Sequence, residues 1–315
     1  MTTKLLIVID PKRTDQPALD RALEIARLID ISMHIVVFSN KNAEDSLTLS
    51  VDPALTRGFE NDHDRVRQVW LDQLAGPIRE EGLKVTTEVR LFNKLYEAII
   101  QVALEEDADI VYKPIRRHTV LQRALFNSTD WNLIRLCPLP LLLVSDSRPV
   151  KGRDIIAAVD LSSEDDDHTE LNRLLMSQAV MISRLIQSQV KVVNASPQGS
   201  GGLNYPASES ADQKDIDDAY RAKALALADK FNLSSEQVII KEGSAEKVVN
   251  DLARSTNAAV IILGTVARSG LAGLFIGNTA ERVLEDSNSD VLVVKQADFT
   301  TPIQIDPLQD RASQQ

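Results

Sequence analysis

Two separated glycines in the second half of the chain could shape a loop that binds phosphate. Gly264 follows an apolar run, and Gly277 stands further on, directly before Asn278 and Thr279. Glycine lets a backbone approach a ligand closely, and the free N–H groups at a helix start bind anions. The spacing is neither that of a Walker A loop nor that of the dinucleotide fingerprint. A purely structural interpretation stays open, in which Gly264 ends a strand and Asn278 caps a helix together with Glu281.

The sequence pattern around this loop occurs twice, and the first copy lacks the glycines. Residues 108–144 match a segment that begins at Ala258 or Ala259 and ends at residue 294, and Lys113 stands where the second copy has Gly264. A repeat of this size indicates a duplicated domain rather than a solenoid, whose units span about 20–50 residues. We therefore predict one working ligand site, in the second copy.

Other residue types that carry chemistry are few. The run of acidic residues at 164–167 is typical of a helix start, although it could also attract a divalent cation. Cys137 precedes an apolar run and is interpreted as a core thiol. The histidines show no spacing typical of a zinc site, so no metal ligands are assigned. No nucleophile stands beside a positioned base, and we assign no catalytic residue. The histidines are His34, His63, His118 and His168.

The elements that must position the loop alternate between strand and helix in both halves. Apolar, β-branched runs at residues 5–10 and 154–160 open the two halves, and segments with helical spacing follow them. This alternation predicts an α/β fold with two tandem doubly wound domains. Each domain is expected to hold a five-stranded parallel sheet in the order 3-2-1-4-5, with helices on both faces. Helices are expected at residues 17–28, 56–80, 94–105 and 123–136, and at 168–186, 216–230, 245–255 and 277–286.

The strand order predicts where a ligand would bind. A doubly wound sheet places its ligand at the carboxyl ends of the two strands where the order reverses. In the expected order these are strands one and four of each domain. The residues to consider are therefore Asp10 and Asp160 after strand one, and the loops after Lys113 and Gly264.

Length, net charge and cysteine content limit the classes of protein to which this chain can belong. The chain has 315 residues and a net charge of −11, which argues against general nucleic-acid binding. No apolar run approaches the ~20 residues of a membrane span, and a signal stretch is not seen. A single cysteine agrees with a reducing compartment, so a cytoplasmic location is expected. We expect domains at residues 1–146 and 152–297, followed by a tail at 298–315.

The chain resembles the universal stress protein family, and specifically its tandem, two-domain type. The resemblance rests on the order of elements, on the aspartate after strand one, and on a loop of the form Gly-x2-Gly-x9-Gly-Ser/Thr. It extends over nearly the whole chain and implies a Rossmann-like fold. In the nucleotide-binding branch it also implies bound ATP, with any Mg²⁺ arriving on the phosphates. The nucleotide-binding residues that it implies are Asp160, Val193, Gly264, Thr265, Ala267, Arg268, Gly277, Asn278 and Thr279.

Both copies depart from the family pattern. In the second copy Ala267 replaces the middle glycine and Asn278 replaces Ser or Thr, which weakens binding without excluding it. In the first copy Lys113, Arg116 and Asn127 occupy the three glycine positions, so we expect no ATP there. Their side chains would fill the phosphate space, although the two cations could bind another anion.

The family also implies that domains pack through their fifth strands. Those strands lie near residues 139–144 and 290–295. Two domains of one chain could then form an intramolecular pseudo-dimer, and the protein could be a monomer or a homodimer.

The leading hypothesis is a cytoplasmic stress-response protein that binds an adenine nucleotide and signals its occupancy to an unknown protein partner. It is not expected to be an enzyme beyond slow, incidental ATP hydrolysis. One alternative is a non-nucleotide module that holds a lipid-like or amphipathic small molecule in an apolar cleft, framed by the apolar loop at residues 271–277 and the long helix of each half. A protein–protein interaction module without a ligand is the other alternative.

Overall fold

The chain folds as two α/β units. The computed structural model describes residues 2–40, 62–115, 129–145, 148–163, 165–197, 213–265, 282–283 and 287–304. The first unit comprises Met1–Ser147 with Thr300–Gln315, and the second comprises Arg148–Phe299.

The described elements of the first unit alternate strictly between strand and helix. They are β1 (Thr3–Ile9), α1 (Pro17–Ala26), β2 (Ile31–Asn40), α2 (His63–Glu80), β3 (Lys84–Phe92), α3 (Leu95–Glu105), β4 (Ile110–Pro114), α4 (Thr129–Leu136) and β5 (Leu141–Val144).

The second unit repeats this order. Its described elements are β6 (Ile155–Ala158), α5 (Asp166–Ile186), β7 (Val190–Ser196), α6 (Gln213–Asp229), a short 3₁₀ helix (Ser235–Gln237), β8 (Val238–Glu242), α7 (Ala245–Thr256), β9 (Val260–Thr265) and β10 (Asp290–Lys295).

Each unit contains a parallel sheet with the predicted strand order. In the first unit the order is β3-β2-β1-β4-β5, and in the second it is β8-β7-β6-β9-β10. Both correspond to 3-2-1-4-5 within the unit, which confirms the doubly wound α/β fold. The first strand of each unit therefore lies between the second and the fourth strands. Parallel sheets of this kind are covered by helices on both faces, which explains their continuous apolar strands.

Burial follows this arrangement. The central strand β1 buries all of Leu5–Ile9, and in β6 Ile155, Ile156 and Ala157 have no exposed side-chain surface. The helices bury one face only; α1, for example, buries Ala18, Ala22 and Ile25, which recur at helical spacing. Cys137 is buried, as predicted for a core thiol.

Two helix starts differ from the sequence prediction because aspartates cap them. The helix expected from residue 56 begins at His63, since Asp62 is its N-cap and accepts a hydrogen bond from the Arg65 N–H at 3.2 Å. The helix expected from residue 168 begins at Asp166, with Asp165 as N-cap. Capping aspartates are hard to rank from sequence when several acidic residues precede a helix.

Candidate functional site

The carboxyl ends of strands β6 and β9 lie side by side in the second unit. The pairing brings Ala158 of β6 into register with Leu263 of β9. Asp160 follows β6, and Gly264 and Thr265 end β9. The topology thus brings together three of the residues that the sequence assigned to a ligand site, at the point where strand order reverses.

Asp160 forms a tight turn and still presents its side chain to solvent. Its Oδ1 accepts hydrogen bonds from the Ser162 N–H at 2.9 Å and from the Ser162 hydroxyl at 2.6 Å. Such a turn, in which a side chain caps the backbone two residues on, is a frequent use of aspartate. The residue as a whole is exposed, so its carboxylate is accessible at the edge of the sheet.

A buried amide from helix α5 holds the backbone of this turn. The Asn172 Oδ1 accepts from the Asp160 N–H at 3.1 Å, and its Nδ2 donates to the Asp160 carbonyl at 2.7 Å. A second buried amide, Asn194 in β7, accepts from the Leu161 N–H at 3.1 Å. The main chain at 160–161 is therefore fixed by two side chains that sequence reasoning did not single out.

Val193 lies within β7 rather than at its end. The strand continues to Ser196, and the Val193 carbonyl accepts the Val159 N–H at 3.0 Å as part of the sheet. At the strand end, the Ser196 hydroxyl donates to Asp217 at 2.5 Å. The backbone nearest the carboxyl edge of this strand is therefore that of Ser196 and Pro197.

Gly264 packs tightly against Leu171 of helix α5. A Cβ atom at this position would lie 2.6 Å from Leu171 Cδ2 and 2.7 Å from Leu171 Cγ. Real Cβ contacts of that length do not occur in close-packed interiors. The absence of a side chain therefore lets the helix that carries Leu171 and Asn172 approach the strand closely. This role accounts for the glycine whether or not a ligand binds.

A buried lysine stands beside the end of β9. Lys295 ends β10 in register with Thr265, and its Nζ donates to the Thr265 hydroxyl at 3.3 Å. The ammonium group also lies 4.5 Å from the centroid of the Phe299 ring, a cation–π arrangement. Both Lys295 and Thr265 are more than nine-tenths buried. Sequence analysis missed this cation, although a lysine that closes an apolar strand is the signal that could have found it.

The loop that carries the remaining assigned residues lies outside the described part of the chain. This holds for Ala267, Arg268, Gly277, Asn278 and Thr279, for the apolar stretch at 271–277, and for Arg116, His118 and Asn127 of the first copy.

The equivalent edge of the first unit carries an ion pair. The Lys113 Nζ in β4 lies 2.6 Å from Asp130 Oδ1 in α4, and the lysine side chain is only 8% exposed. The backbone of Asp10 after β1 is held as in the second unit, since Gln16 accepts its N–H at 3.3 Å and donates to its carbonyl at 2.9 Å. The strand registers correct the sequence alignment: Leu5 pairs with Ile110 and Ile155 with Val260, so Pro114 is the counterpart of Gly264, and Lys113 is the residue before it.

The acidic run before α5 caps the helix. The Asp165 carboxylate accepts from the His168 N–H and from its ring Nδ1, both at 2.8 Å. Hydrogen bonds from Ser163 and then from His168 hold the pKa of Asp165 well below its usual value. Among the residues that the structure describes, no group of three or more His, Cys, Asp or Glu side chains is arranged to hold a metal ion.

The fold and the paired strand ends define a tandem Rossmann-like protein with a candidate small-molecule site in its second unit. A sequence model of the universal stress protein family matches residues 1–145 and 153–295. The chain therefore belongs to the universal stress protein family. No helix in the described ranges is long and apolar enough to cross a membrane.

Two relatives match almost the whole chain and almost the whole of their own length. Universal stress protein E of Salmonella typhi is 32% identical over 315 aligned residues, covering 97% of this chain and 98% of that protein. The Haemophilus influenzae homologue is 26% identical and covers 92% of this chain and 96% of its own.

Two solved structures show the same fold over nearly all of the chain. A functionally unknown protein from Pseudomonas aeruginosa is 31% identical, with a TM-score of 0.74 and 94% of each chain covered. A universal stress protein from Archaeoglobus fulgidus is 15% identical, with a TM-score of 0.66, and covers 94% of this chain and 97% of its own. At that identity the second likeness concerns the fold alone.

Proposed function

We propose that the second unit binds an adenine nucleotide, with ATP as the expected ligand, at the carboxyl ends of β6 and β9. The protein would act in the cytoplasm as a stress-response binding protein whose occupancy is sensed by a protein partner. The resemblance to nucleotide-binding family members supports the choice of an adenine nucleotide, and the strand order supports this location for it.

One observation carries the proposal: the two units differ at equivalent strand ends. In the second unit an accessible carboxylate, Asp160, stands beside a strand end that has no side chain at Gly264. In the first unit Pro114 stands at the position of Gly264, and the preceding residue, Lys113, forms a 2.6 Å ion pair with Asp130. The difference supports one nucleotide site per chain, in the second unit.

The described residues suit binding better than catalysis. Asp160 can accept hydrogen bonds from ribose hydroxyls, and its backbone is held in place by Asn172 before a ligand arrives. Lys295, buried beside Thr265, adds positive charge near the end of β9. Phosphates would be received by the loop that follows Thr265, and Mg²⁺ would arrive with them and keep most of its waters. We propose no enzymatic turnover beyond slow, incidental ATP hydrolysis.

Calorimetric titration with Mg·ATP tests the proposal with a matched pair of variants. Asp160→Ala removes the carboxylate in the second unit, and Asp10→Ala removes its counterpart in the first. Both aspartates accept a hydrogen bond from the backbone two residues on, Asp10 from the Lys12 N–H at 3.1 Å. We expect the unaltered protein to bind one ATP per chain and Asp160→Ala to bind about tenfold more weakly, the loss of one charge-assisted hydrogen bond. Asp10→Ala should bind normally.

The result that would overturn the proposal is equally specific. Equal ATP affinity in Asp160→Ala and the unaltered chain, with both folded by circular dichroism, would rule out this edge as the nucleotide site. Mass spectrometry of molecules released from the purified, denatured protein separates the alternatives. An adenine nucleotide near one per chain supports the proposal, whereas an amphipathic lipid would replace it with the second hypothesis.

A further inference from the structure

Two serines occupy matching positions at the carboxyl ends of the second strands of the two units. They are Ser39 in β2 and Ser196 in β7, and both are more than nine-tenths buried. The strand pairs that establish the match are Leu6 with His34 and Ile156 with Lys191. Each serine stands five residues beyond the β2 or β7 member of its pair. Each also forms a hydrogen bond to the helix that follows its strand.

The two units differ in the charge of the side chain that meets this serine. In the first unit the Arg67 Nη1 of α2 donates to the Ser39 hydroxyl at 2.9 Å. In the second unit the Ser196 hydroxyl donates to the Asp217 Oδ1 of α6 at 2.5 Å. A hydroxyl group can donate or accept, so either charge links the strand to the helix. The link therefore does not by itself explain a carboxylate at position 217.

One carboxylate oxygen of Asp217 is bonded within the protein, and the other is available. Oδ1 accepts from Ser196 and also from the Gln213 Nε2 at 3.1 Å. Oδ2 forms no hydrogen bond with any residue that the structure describes, and Asp217 as a whole is only half-buried. An ionised carboxylate is purely an acceptor, so Oδ2 can receive an N–H group from a ligand.

Asp217 lies on the side of Asp160 that faces away from β9. Strand β6 pairs with β9 on one side and with β7 on the other. The turn after β6 is bonded directly to β7, where the Asn194 Oδ1 accepts from the Leu161 N–H at 3.1 Å. Neighbouring strands lie about 4.8 Å apart. A nucleotide with its phosphates towards β9 and its ribose at Asp160 therefore directs its base over the end of β7, beside Ser196 and Asp217.

We propose that Asp217 selects the base of the nucleotide by accepting a hydrogen bond from the exocyclic amino group of adenine. The proposal rests on the nucleotide site proposed above and adds the residue that distinguishes one base from another. Adenine presents an N–H donor where hypoxanthine and guanine present a carbonyl oxygen. A carbonyl oxygen facing the carboxylate would oppose two acceptors and leave both without a donor. The carboxylate also stays clear of the phosphates, which lie on the other side of Asp160.

The first unit presents the opposite chemistry at the matching position. Arg67 is 5% exposed and also pairs with Asp64 at 3.0 Å. A guanidinium group has only N–H donors, so it cannot accept a hydrogen bond from an amino group. The reversal of charge between Arg67 and Asp217 is thus a second difference between the units, at a different strand from Gly264. Both differences favour an adenine site in the second unit alone.

Comparison of ATP with inosine triphosphate tests the role of Asp217, because inosine triphosphate carries a carbonyl oxygen in place of the amino group. Calorimetric titration of the full chain with the magnesium complex of each gives the ratio of the two affinities. We expect the unaltered chain to prefer ATP by about tenfold or more, the value of a hydrogen bond to a charged group.

Asp217→Asn should bring this ratio close to one. The amide keeps the shape of the carboxylate but can present either a donor or an acceptor, so it suits both bases. The matched control is Asp218→Asn, which removes the same charge from the next, exposed position of α6 and should leave the ratio unchanged. The ratio is the informative quantity, because a weakened link to Ser196 would lower the affinity for both nucleotides alike.

The outcomes separate this inference from the proposed function. If the unaltered chain binds ATP and Asp160→Ala weakens that binding, the nucleotide site stands. An unchanged ratio in Asp217→Asn would then overturn the role of Asp217 alone, as would equal affinity of the unaltered chain for ATP and inosine triphosphate. A ratio that falls equally in Asp217→Asn and Asp218→Asn would assign the effect to general charge and also overturn it. No ATP binding by the unaltered chain would overturn both proposals.

Discussion

The side-chain amide of Asn172 forms hydrogen bonds with both the main-chain N–H and the main-chain carbonyl of Asp160. The N–H to Oδ1 distance is 3.1 Å and the Nδ2 to carbonyl distance is 2.7 Å, and Asn172 is 6% exposed. A strand that ends at a ligand site leaves backbone groups without ladder partners, and such groups need hydrogen bonds when buried. The amide satisfies them and leaves the Asp160 carboxylate free to face solvent.

Replacing this amide should weaken both the fold and the site. Asn172→Ala leaves two part-buried backbone groups without their side-chain partner, so we expect the free energy of unfolding to fall by about 1 kcal/mol. ATP affinity should fall as well, because Asp160 loses its fixed position. Urea denaturation and calorimetric titration measure the two effects.

The first unit supplies the control for Asn172→Ala. Gln16 holds the Asp10 backbone with the same pair of bonds. Gln16→Ala should destabilise the protein to a similar degree and leave ATP affinity unchanged. If both variants reduced ATP affinity equally, the effect would reflect general stability rather than positioning of Asp160.

Gly264→Ala should destabilise the second unit through a steric clash with Leu171. The added methyl group would lie 2.6 Å from Leu171 Cδ2, and forcing such contacts in a packed interior costs about 1–3 kcal/mol. Thermal and urea unfolding measure the loss. Because the clash involves a side chain, shortening that side chain should relieve it.

A double-mutant cycle separates the clash from other effects at Gly264. Leu171→Ala alone creates a cavity and destabilises the protein, whereas Gly264→Ala in the Leu171→Ala background should add little further loss. Additive losses in the double variant would contradict packing as the reason for glycine at this position.

Element order and strand order were predictable, because each strand of this fold is a continuous apolar run and the pattern occurs twice. Contacts between distant residues were not. Nothing local in the sequence links Asn172 to Asp160, or Leu171 to Gly264, since both pairs form only when α5 packs on the sheet. A sequence alone does not distinguish a glycine that packing requires from a glycine that a ligand requires. The contact with Leu171 of α5 indicates that packing is the reason for glycine at position 264.

Removing one partner of the Lys113–Asp130 ion pair should destabilise the protein more than removing both partners. The pair spans 2.6 Å, with side-chain exposures of 8% and 16%. Lys113→Met leaves a mostly buried carboxylate without its partner, and we expect a loss near the lower end of the ~3–5 kcal/mol typical of broken buried pairs. The double variant Lys113→Met/Asp130→Ala should recover part of that loss. Urea unfolding of both variants is the measurement, and a double variant less stable than Lys113→Met would contradict this account.

Glu88 should contribute to stability near neutral pH and lose that contribution in acid. Burial by itself would raise its pKa, but hydrogen bonds from His34 at 3.0 Å and from Arg90 outweigh burial and lower the pKa. Arg90 in turn pairs with Glu105 at 2.5 Å, so the carboxylate belongs to a partly buried network. A carboxyl group whose pKa is lower in the folded state stabilises the protein at pH values above its unfolded pKa, about 4.3, and ceases to do so as pH falls through the folded value.

Glu88→Gln should therefore reduce stability at pH 7 and flatten the decline of unfolding free energy below about pH 4.3. Urea unfolding across pH measures both effects, with Glu236→Gln, at an exposed position, as the control; an unchanged acid slope in Glu88→Gln would contradict the assigned role of this network.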